Sequence, residues 1–169
     1  MAGPGRAAPT LPLVRPALGQ RRFRSGAVEA IIEEFGRQVP DAELAWLFGN
    51  CLAYSLDSTV RYAAPGGVPD TYVSPGDIDA MWLRDSAAQL WPYLRLAPRE
   101  ASLRLLLAGA IRRQARCIRL DPYASAFYED LARTGASQPG QPTLLPGVQE
   151  RKWAIDSLCY PLRLAYHYW

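Results

Sequence analysis

The chain has 169 residues, a length typical of one domain or of a part of a larger one. Apolar residues make up 49% and charged residues 21%, ordinary values for a globular core, and the longest apolar run, 105–111, is far too short to span a membrane. The net charge of +3 comes largely from five arginines among the first 24 residues, which contain no acid. The remainder is close to neutral, which argues against a nucleic-acid-binding surface.

The N-terminal 25 residues are rich in proline and arginine and show no apolar periodicity. We expect residues 1–25 to form a disordered basic leader. Apolar residues at helical spacing then begin near residue 26, so residues 26–169 are expected to form one folded unit.

The first part of this unit has a helical pattern followed by a β-prone segment. Apolar spacing predicts helices over 27–39 and 41–57, with Pro40 ending the first and Asp41 capping the second. Residues 60–75 contain two β-prone pairs separated by Pro-Gly and Pro-Asp turn signals. They predict a short hairpin or a folded loop.

The stretch 76–86 combines charged and aromatic residues in a way that does not suit an ordinary helix face. Its candidate binding residues are Asp77, Trp82, Arg84 and Asp85. An indole offers a flat apolar face to a pyranose ring, while carboxylate and guanidinium groups hydrogen-bond its hydroxyls, so a sugar site is one interpretation. The other is a helix cap with a buried ion pair between Arg84 and an aspartate. In both, Asp85 or Ser86 is expected to cap a helix over 86–97 that Pro92 interrupts.

The strongest helical signal lies between Pro98 and Leu120, ended by Asp121-Pro122. Four arginines cluster toward its C-terminal end, at positions 112, 113, 116 and 119. They fit either a solvated face that complements the helix dipole or a basic strip for phosphate or nucleic acid. Because no aromatic residue is interleaved with them, the solvated face is the preferred interpretation.

A second polar-aromatic turn containing Tyr123 follows, then a loop over 131–148 and a final helix from about residue 153. Asp156 lies in the early turns of this helix. Its apolar stripe still continues at Trp169, so we expect the chain to be truncated within its fold. Helices in consecutive pairs, 27–39 with 41–57 and 86–97 with 98–120, predict an all-α fold of stacked hairpins with a short β or loop excursion near 60–75.

Metal chemistry has little support in the composition. The three cysteines are far apart, and His167 is the only histidine, so neither a metal site nor a cofactor is predicted. Each cysteine falls on an apolar helical stripe, which predicts small buried thiols. Reduced thiols fit a cytoplasmic location.

Three stretches together resemble glycoside hydrolase family 125, the metal-independent exo-α-1,6-mannosidases. They are Gly76-Asp77-Ile78-Asp79-Ala80-Met81-Trp82-Leu83-Arg84-Asp85-Ser86, Asp121-Pro122-Tyr123-Ala124-Ser125-Ala126-Phe127, and Glu150-Arg151-Lys152-Trp153-Ala154-Ile155-Asp156 with the residues to Pro161. Ser125 stands where the family usually has asparagine. The similarity extends over about residues 26–169.

This resemblance implies part of an (α/α)6 barrel of six helical hairpins and an inverting, metal-independent glycosidase. The implied substrate is a mannose-containing oligosaccharide with terminal α-1,6-linked mannose. Such an enzyme needs one carboxylic acid and one carboxylate roughly 6.5–9.5 Å apart. The resemblance places both beyond Trp169, so no catalytic residue is assigned here. The implied substrate-binding residues are Asp77, Trp82, Arg84, Asp85, Tyr123 and Asp156.

Two other functions remain open from the sequence. One is a non-catalytic carbohydrate-binding or structural remnant of the same family. The other is a basic helical nucleic-acid binder, which rests on the 112–119 arginine strip alone.

Overall fold

The computed structural model describes residues 11–135 and 143–169, which form a mostly helical fold with two small antiparallel sheets. The α-helices are α1 (Gly26–Gln38), α2 (Ala42–Tyr54), α3 (Leu83–Leu90), α4 (Ala101–Leu120) and α5 (Asp156–Tyr168). The strands are β1 (Val60–Ala63), β2 (Asp70–Val73), β3 (Met81–Trp82), β4 (Ala126–Phe127) and β5 (Val148–Glu150).

The first predicted helix pair is confirmed. Helices α1 and α2 pack against each other, and Phe35 stacks on Phe48 with ring centroids 4.0 Å apart. Asp41 caps α2 as predicted, because its Oδ1 accepts hydrogen bonds from the backbone N–H groups of Glu43 and Leu44 at 3.0 and 3.1 Å. Side-chain acceptors at this position satisfy amides that have no partner inside the helix.

The predicted hairpin over 60–75 is also confirmed, and it lies on α4. Strands β1 and β2 pair antiparallel with Val60 opposite Val73. The Thr71 hydroxyl donates to the carbonyl of Leu106 at 2.7 Å. The strand approaches the helix so closely that a Cβ at Gly109 would lie 2.6 Å from Thr71 Oγ1. The hairpin is therefore seated on α4 by a contact that only glycine permits.

The predicted start of the third helix is wrong. Helix α3 begins at Leu83, with Trp82 at the cap position and no side-chain cap, so Asp85 and Ser86 lie inside the first turn. The difference arises because β3 runs directly into the helix and its last residue replaces a polar cap. Pro92 does interrupt the helical pattern, since α3 ends at Leu90 and a 3-10 turn spans Trp91–Tyr93.

The all-α prediction missed a second sheet, in which β3, β4 and β5 pair antiparallel in that order. Met81 pairs with Phe127, and Phe127 pairs with Val148. These strands have two or three residues each, too few for an alternating pattern to be visible in the sequence. Their pairing is a product of tertiary structure.

The second predicted helix pair is also wrong in part. Helix α3 packs mainly against α5 and only lightly against α4. Helix α4 begins at Ala101 because Pro98 belongs to the preceding 3-10 turn, Ala97–Arg99. Asp121 ends α4, as the sequence predicted.

The structure describes residues 11–25 of the predicted disordered leader, and these residues pack on the helices. Arg15 donates from Nε to Asp57 Oδ2 at 2.7 Å and from Nη2 to Glu29 Oε1 at 2.6 Å. The backbone N–H of Phe23 donates to the carbonyl of Leu56 at 3.0 Å. This order differs from the expectation because arginines that lack acids in their own segment find carboxylates on later elements.

Two predictions about side-chain burial need correction. Cys117 is buried as expected, whereas Cys51 and Cys159 are exposed. Arg113 was expected on a solvated face but is only 8% exposed. Its guanidinium donates hydrogen bonds to both carboxylate oxygens of Asp70, at 2.8 and 2.6 Å. Burial alone would raise the pKa of Asp70, yet the bonds and charge of Arg113 outweigh it and lower that pKa.

Most of the core lies between α1, α3, α4 and the hairpin, and a smaller apolar cluster lies under the second sheet around Leu83, Cys117 and Phe127. None of the described helices combines the length and the apolarity needed to cross a lipid bilayer.

We predict that Gly109→Ala destabilises the fold. The added methyl would meet Thr71 Oγ1 and also approach the Asp70 backbone at 3.0 Å, so the free energy of unfolding should fall by about 1–3 kcal/mol. Urea unfolding followed by circular dichroism measures this change. Gly36→Ala is the control, because its Cβ would meet open space and should add about 0.5–1 kcal/mol of helix stability. Equal effects of both changes would contradict the close seating of β2.

We predict that Asp70→Asn lowers the free energy of unfolding by about 3 kcal/mol at neutral pH, since it breaks a largely buried ion pair. The folded state lowers the pKa of Asp70. Its contribution is therefore complete above the unfolded pKa of about 3.9 and is lost as the pH falls through the folded pKa. The stability difference from the unmodified protein should shrink below about pH 4. If the difference in unfolding free energy between the two proteins stays constant on acidification, the Asp70–Arg113 ion pair is not its cause.

Candidate functional site

Two helix N-termini meet beside the second sheet and bring distant polar residues together. Helix α3 begins directly after β3, and α5 begins at Asp156 and packs along α3. Arg84 and Asp85 lie in the first turn of α3, and Asp156 is the first residue of α5. Helix N-termini favour negatively charged groups. The arrangement thus places the carboxylates of Asp85 and Asp156 and the guanidinium of Arg84 at one exposed edge of the fold, the rim.

Arg84 connects the two carboxylates. It donates from Nη1 to Asp156 Oδ2 at 2.9 Å and from Nη2 to Asp85 Oδ2 at 3.3 Å. The hydrogen bond to Asp156, and then the charge of Asp85, raise the pKa of Arg84. The exposed fractions of the three side chains are 39%, 39% and 37% for Arg84, Asp85 and Asp156. The ion pair that the sequence allowed is present, but it is open to solvent and not buried.

Trp82 lies beside this trio with its ring centre 6.0 Å from the Arg84 guanidinium carbon. Its indole Nε1 is buried, yet it has no hydrogen-bond partner among the described residues, and the same holds for Asp156 Oδ1. Leaving a buried donor or acceptor unpaired costs about 1–3 kcal/mol.

The second sheet positions Trp82 relative to two later segments. Trp82 pairs with Ala126, and Ala126 pairs with Glu150. The Ser125 hydroxyl donates to Glu150 Oε2 at 3.2 Å. Sequence reasoning assigned no role to Glu150 or to Gln149, whose Oε1 is a further buried acceptor without a partner among the described residues. Glu150 begins the third family-like stretch, which is the sequence signal that could have indicated it, whereas Gln149 lies outside that stretch.

Tyr123 belongs to a neighbouring group formed with Asp121 and Arg151. Its ring centre lies 5.3 Å from the Arg151 guanidinium carbon, and Arg151 Nε donates to the buried Asp121 at 2.8 Å. Tyr123 is 53% exposed. The second sheet connects this group to Trp82, but no hydrogen bond or ion pair among the described residues joins Tyr123 to the Arg84 trio.

Asp77 is the predicted site residue that the structure does not join to the others. It is exposed, and no hydrogen bond or ion pair connects its carboxylate to the described residues. Its neighbour Asp79 instead accepts from Arg133 at 2.5 Å. The loop is held at Gly76, where φ is +115° and a Cβ would lie 2.7 Å from the Tyr54 hydroxyl. A sugar contact by Asp77 stays a prediction.

Within residues 11–135 and 143–169, no three His, Cys, Asp or Glu side chains are grouped as a metal site. The rim presents one guanidinium, two carboxylates and an indole, which offer hydrogen bonding, charge and an aromatic face.

Comparison with solved structures identifies a similar fold. A metal-independent alpha mannosidase from Streptococcus pneumoniae, solved as a non-productive substrate complex with alpha-1,6-mannobiose, superposes with a TM-score of 0.78 at 40% identity. The match covers 88% of this chain and 34% of the mannosidase chain.

Comparison of sequences gives a concordant result. The meiotically up-regulated gene 157 protein of Schizosaccharomyces pombe is 42% identical over 167 residues, which is 94% of this chain and 33% of that protein. This chain thus spans about a third of the length of both relatives. The family model described as metal-independent alpha-mannosidase matches residues 41–169. Since this match takes in well over half of the sequence, the chain belongs to glycoside hydrolase family 125.

Proposed function

We propose that this chain is part of an exo-acting α-1,6-mannosidase and supplies the residues that hold the terminal mannose. The observation that carries the proposal is the solvent-open Arg84–Asp85–Asp156 trio beside the Trp82 ring. Family membership supports the reaction class, and the mannobiose complex of the Streptococcus pneumoniae relative supports the substrate class.

Each group of the trio offers a different interaction to a pyranose. The Arg84 guanidinium can only donate, and the Asp85 and Asp156 carboxylates can only accept. A sugar with adjacent hydroxyls can satisfy both kinds of partner, while its C–H face packs on the indole. Because Asp85 and Asp156 bind the same guanidinium, Arg84 is fixed before the sugar arrives, which reduces the entropic cost of binding.

The proposed reaction inverts configuration at the sugar carbon. Inversion requires a carboxylic acid that protonates the leaving oxygen and a carboxylate that activates water on the opposite face. We assign Asp85 and Asp156 to binding because both are engaged by Arg84. We propose that the acid and the base come from the portion of the family domain that this chain does not span.

We propose that α1–α5 form part of an (α/α)6 barrel. Helix α5 packs on α3 and α4, yet it exposes Leu162 and Tyr166 by 68% and 79%. An apolar face of this kind is what a further helix of a barrel covers.

We predict that Arg84→Gln lowers kcat/KM for α-1,6-mannobiose by about 10- to 100-fold in the longest natural polypeptide that carries this sequence, because a hydrogen bond from a charged group contributes roughly 1.5–3 kcal/mol. Stability should change little, since exposed ion pairs contribute only about 0–1 kcal/mol. Asp156→Asn should act in the same direction.

Arg37→Gln is the matched control for the Arg84 variant. Arg37 is an exposed arginine in the last turn of α1 that makes no side-chain bond among the described residues. Turnover that is unchanged in the Arg84 and Asp156 variants, or reduced equally in the Arg37 variant, would return the trio to a structural role.

We also predict that the 169-residue polypeptide alone does not hydrolyse α-1,6-mannobiose, whereas the longest natural polypeptide does. Product mannose measured by chromatography distinguishes the two. Hydrolysis by the short polypeptide would require the acid and base to lie within it. Binding of mannobiose without hydrolysis by the longer polypeptide would favour the carbohydrate-binding remnant.

A further inference from the structure

A groove of about 690 Å³ lies between the C-terminal half of α4 and the connection of the β1–β2 hairpin. This volume is within the range of roughly 300–1,000 Å³ typical of small-molecule sites. Its walls include Pro65 and Val68 from the hairpin, and Leu131 from the segment after β4. The groove shares no residue with the Arg84 trio, and the proposed mannosidase function does not use it.

The groove carries a large excess of positive charge. Arginines 112, 113, 116 and 119 line it together with a single acid, Asp70. Arg113 occupies both oxygens of that acid, at 2.8 and 2.6 Å. Arg116 only reaches it at 3.4 Å and is 53% exposed. Most of the charge of the acid is therefore already compensated by Arg113.

Arg112 and Arg119 form no ion pair with a carboxylate among the described residues. Every aspartate and glutamate of the sequence falls within residues 11–135 and 143–169, and none of them forms a salt bridge with either arginine in this part of the chain. Guanidinium groups without partners in a concave apolar setting are available to an incoming anion.

The helix dipole explains part of this cluster but not all of it. Arg119 lies in the last turn of α4, where a cation complements the negative end. Arg112 and Arg116 lie further from Leu120, and the dipole effect falls off within the last turn. These two arginines are four residues apart, hence neighbours on one helix face.

The lining narrows the class of anion. No aromatic side chain is among the described residues that line the groove, so nucleic-acid bases would have no surface on which to stack. The planar fork of arginine matches phosphate oxygens geometrically. The apolar walls fit a compact organic group attached to that phosphate.

We propose that this groove binds a phosphomonoester with a small, partly apolar organic group. Arg112 and Arg116 hold the phosphate, and the walls formed by Pro65, Val68 and Leu131 contact the organic part. The Arg113–Asp70 ion pair holds the hairpin against α4 at the base of the groove.

Phenyl phosphate is the probe, titrated calorimetrically into the longest natural polypeptide carrying this sequence, at about 0.15 M salt, where weak surface electrostatics are screened. The expected result is saturable binding that the double variant Arg112→Gln/Arg116→Gln weakens by at least about tenfold, as expected for loss of charge-assisted bonds. Inorganic phosphate should compete but bind more weakly, because it lacks the organic group.

Arg104→Gln is the matched control, since Arg104 is exposed on the same helix and does not line the groove. Absence of saturable binding, or equal weakening by the control, overturns the proposal. The proposal is also overturned if duplex DNA binds more tightly than phenyl phosphate and the double variant reduces the salt dependence of that binding. That result would favour a nucleic-acid-binding groove. Mannobiose hydrolysis should be unchanged in the double variant, so failure here is distinguishable from failure of the proposed enzyme.

Discussion

The backbone of Ser125 joins three distant segments of the chain, and the rim depends on this connection. Its carbonyl accepts from the N–H of Leu83 at 3.1 Å, and its N–H donates to the carbonyl of Glu150 at 3.0 Å. These two bonds continue the β3–β4–β5 pairing into the first residue of α3. They fix where α3 begins and therefore where Arg84 and Asp85 point. Because they are backbone bonds, they do not depend on which side chain stands at position 125.

Two arginines of this chain form ion pairs with opposite physical consequences. Arg113 is buried and holds Asp70 with both ends of its fork, so removal of either partner leaves a buried charge and costs several kcal/mol. Arg84 is 39% exposed and shared between two carboxylates, a geometry worth about 0–1 kcal/mol to folding. Loss of one partner therefore costs much more folding free energy in the first arrangement than in the second. The second lies at the solvent-open N-termini of two helices, beside the Trp82 ring.

The local part of the fold could be predicted well from the sequence. Helices α1 and α2, the Asp41 cap and the β1–β2 hairpin follow from periodicity, a capping residue and turn residues within a few positions of each other. The site could be predicted only in part. Trp82, Arg84 and Asp85 stand together in one unusual stretch, but their joining to Asp156 spans 72 positions and has no local signal. Resemblance to the family supplied that connection.

The sequence by itself determined which segments are helical, although not where each helix begins, because apolar spacing and capping act within single turns. It also determined which stretches hold charged and aromatic residues unsuited to a core. Only the tertiary structure decided that α3 begins at Leu83, that Arg113 is buried while Arg84 is open, and that three strands of two or three residues form a sheet. The physical reason is that each of these outcomes depends on partners far away in sequence. The hydrogen bonds and burial that decide them exist only once the elements have packed.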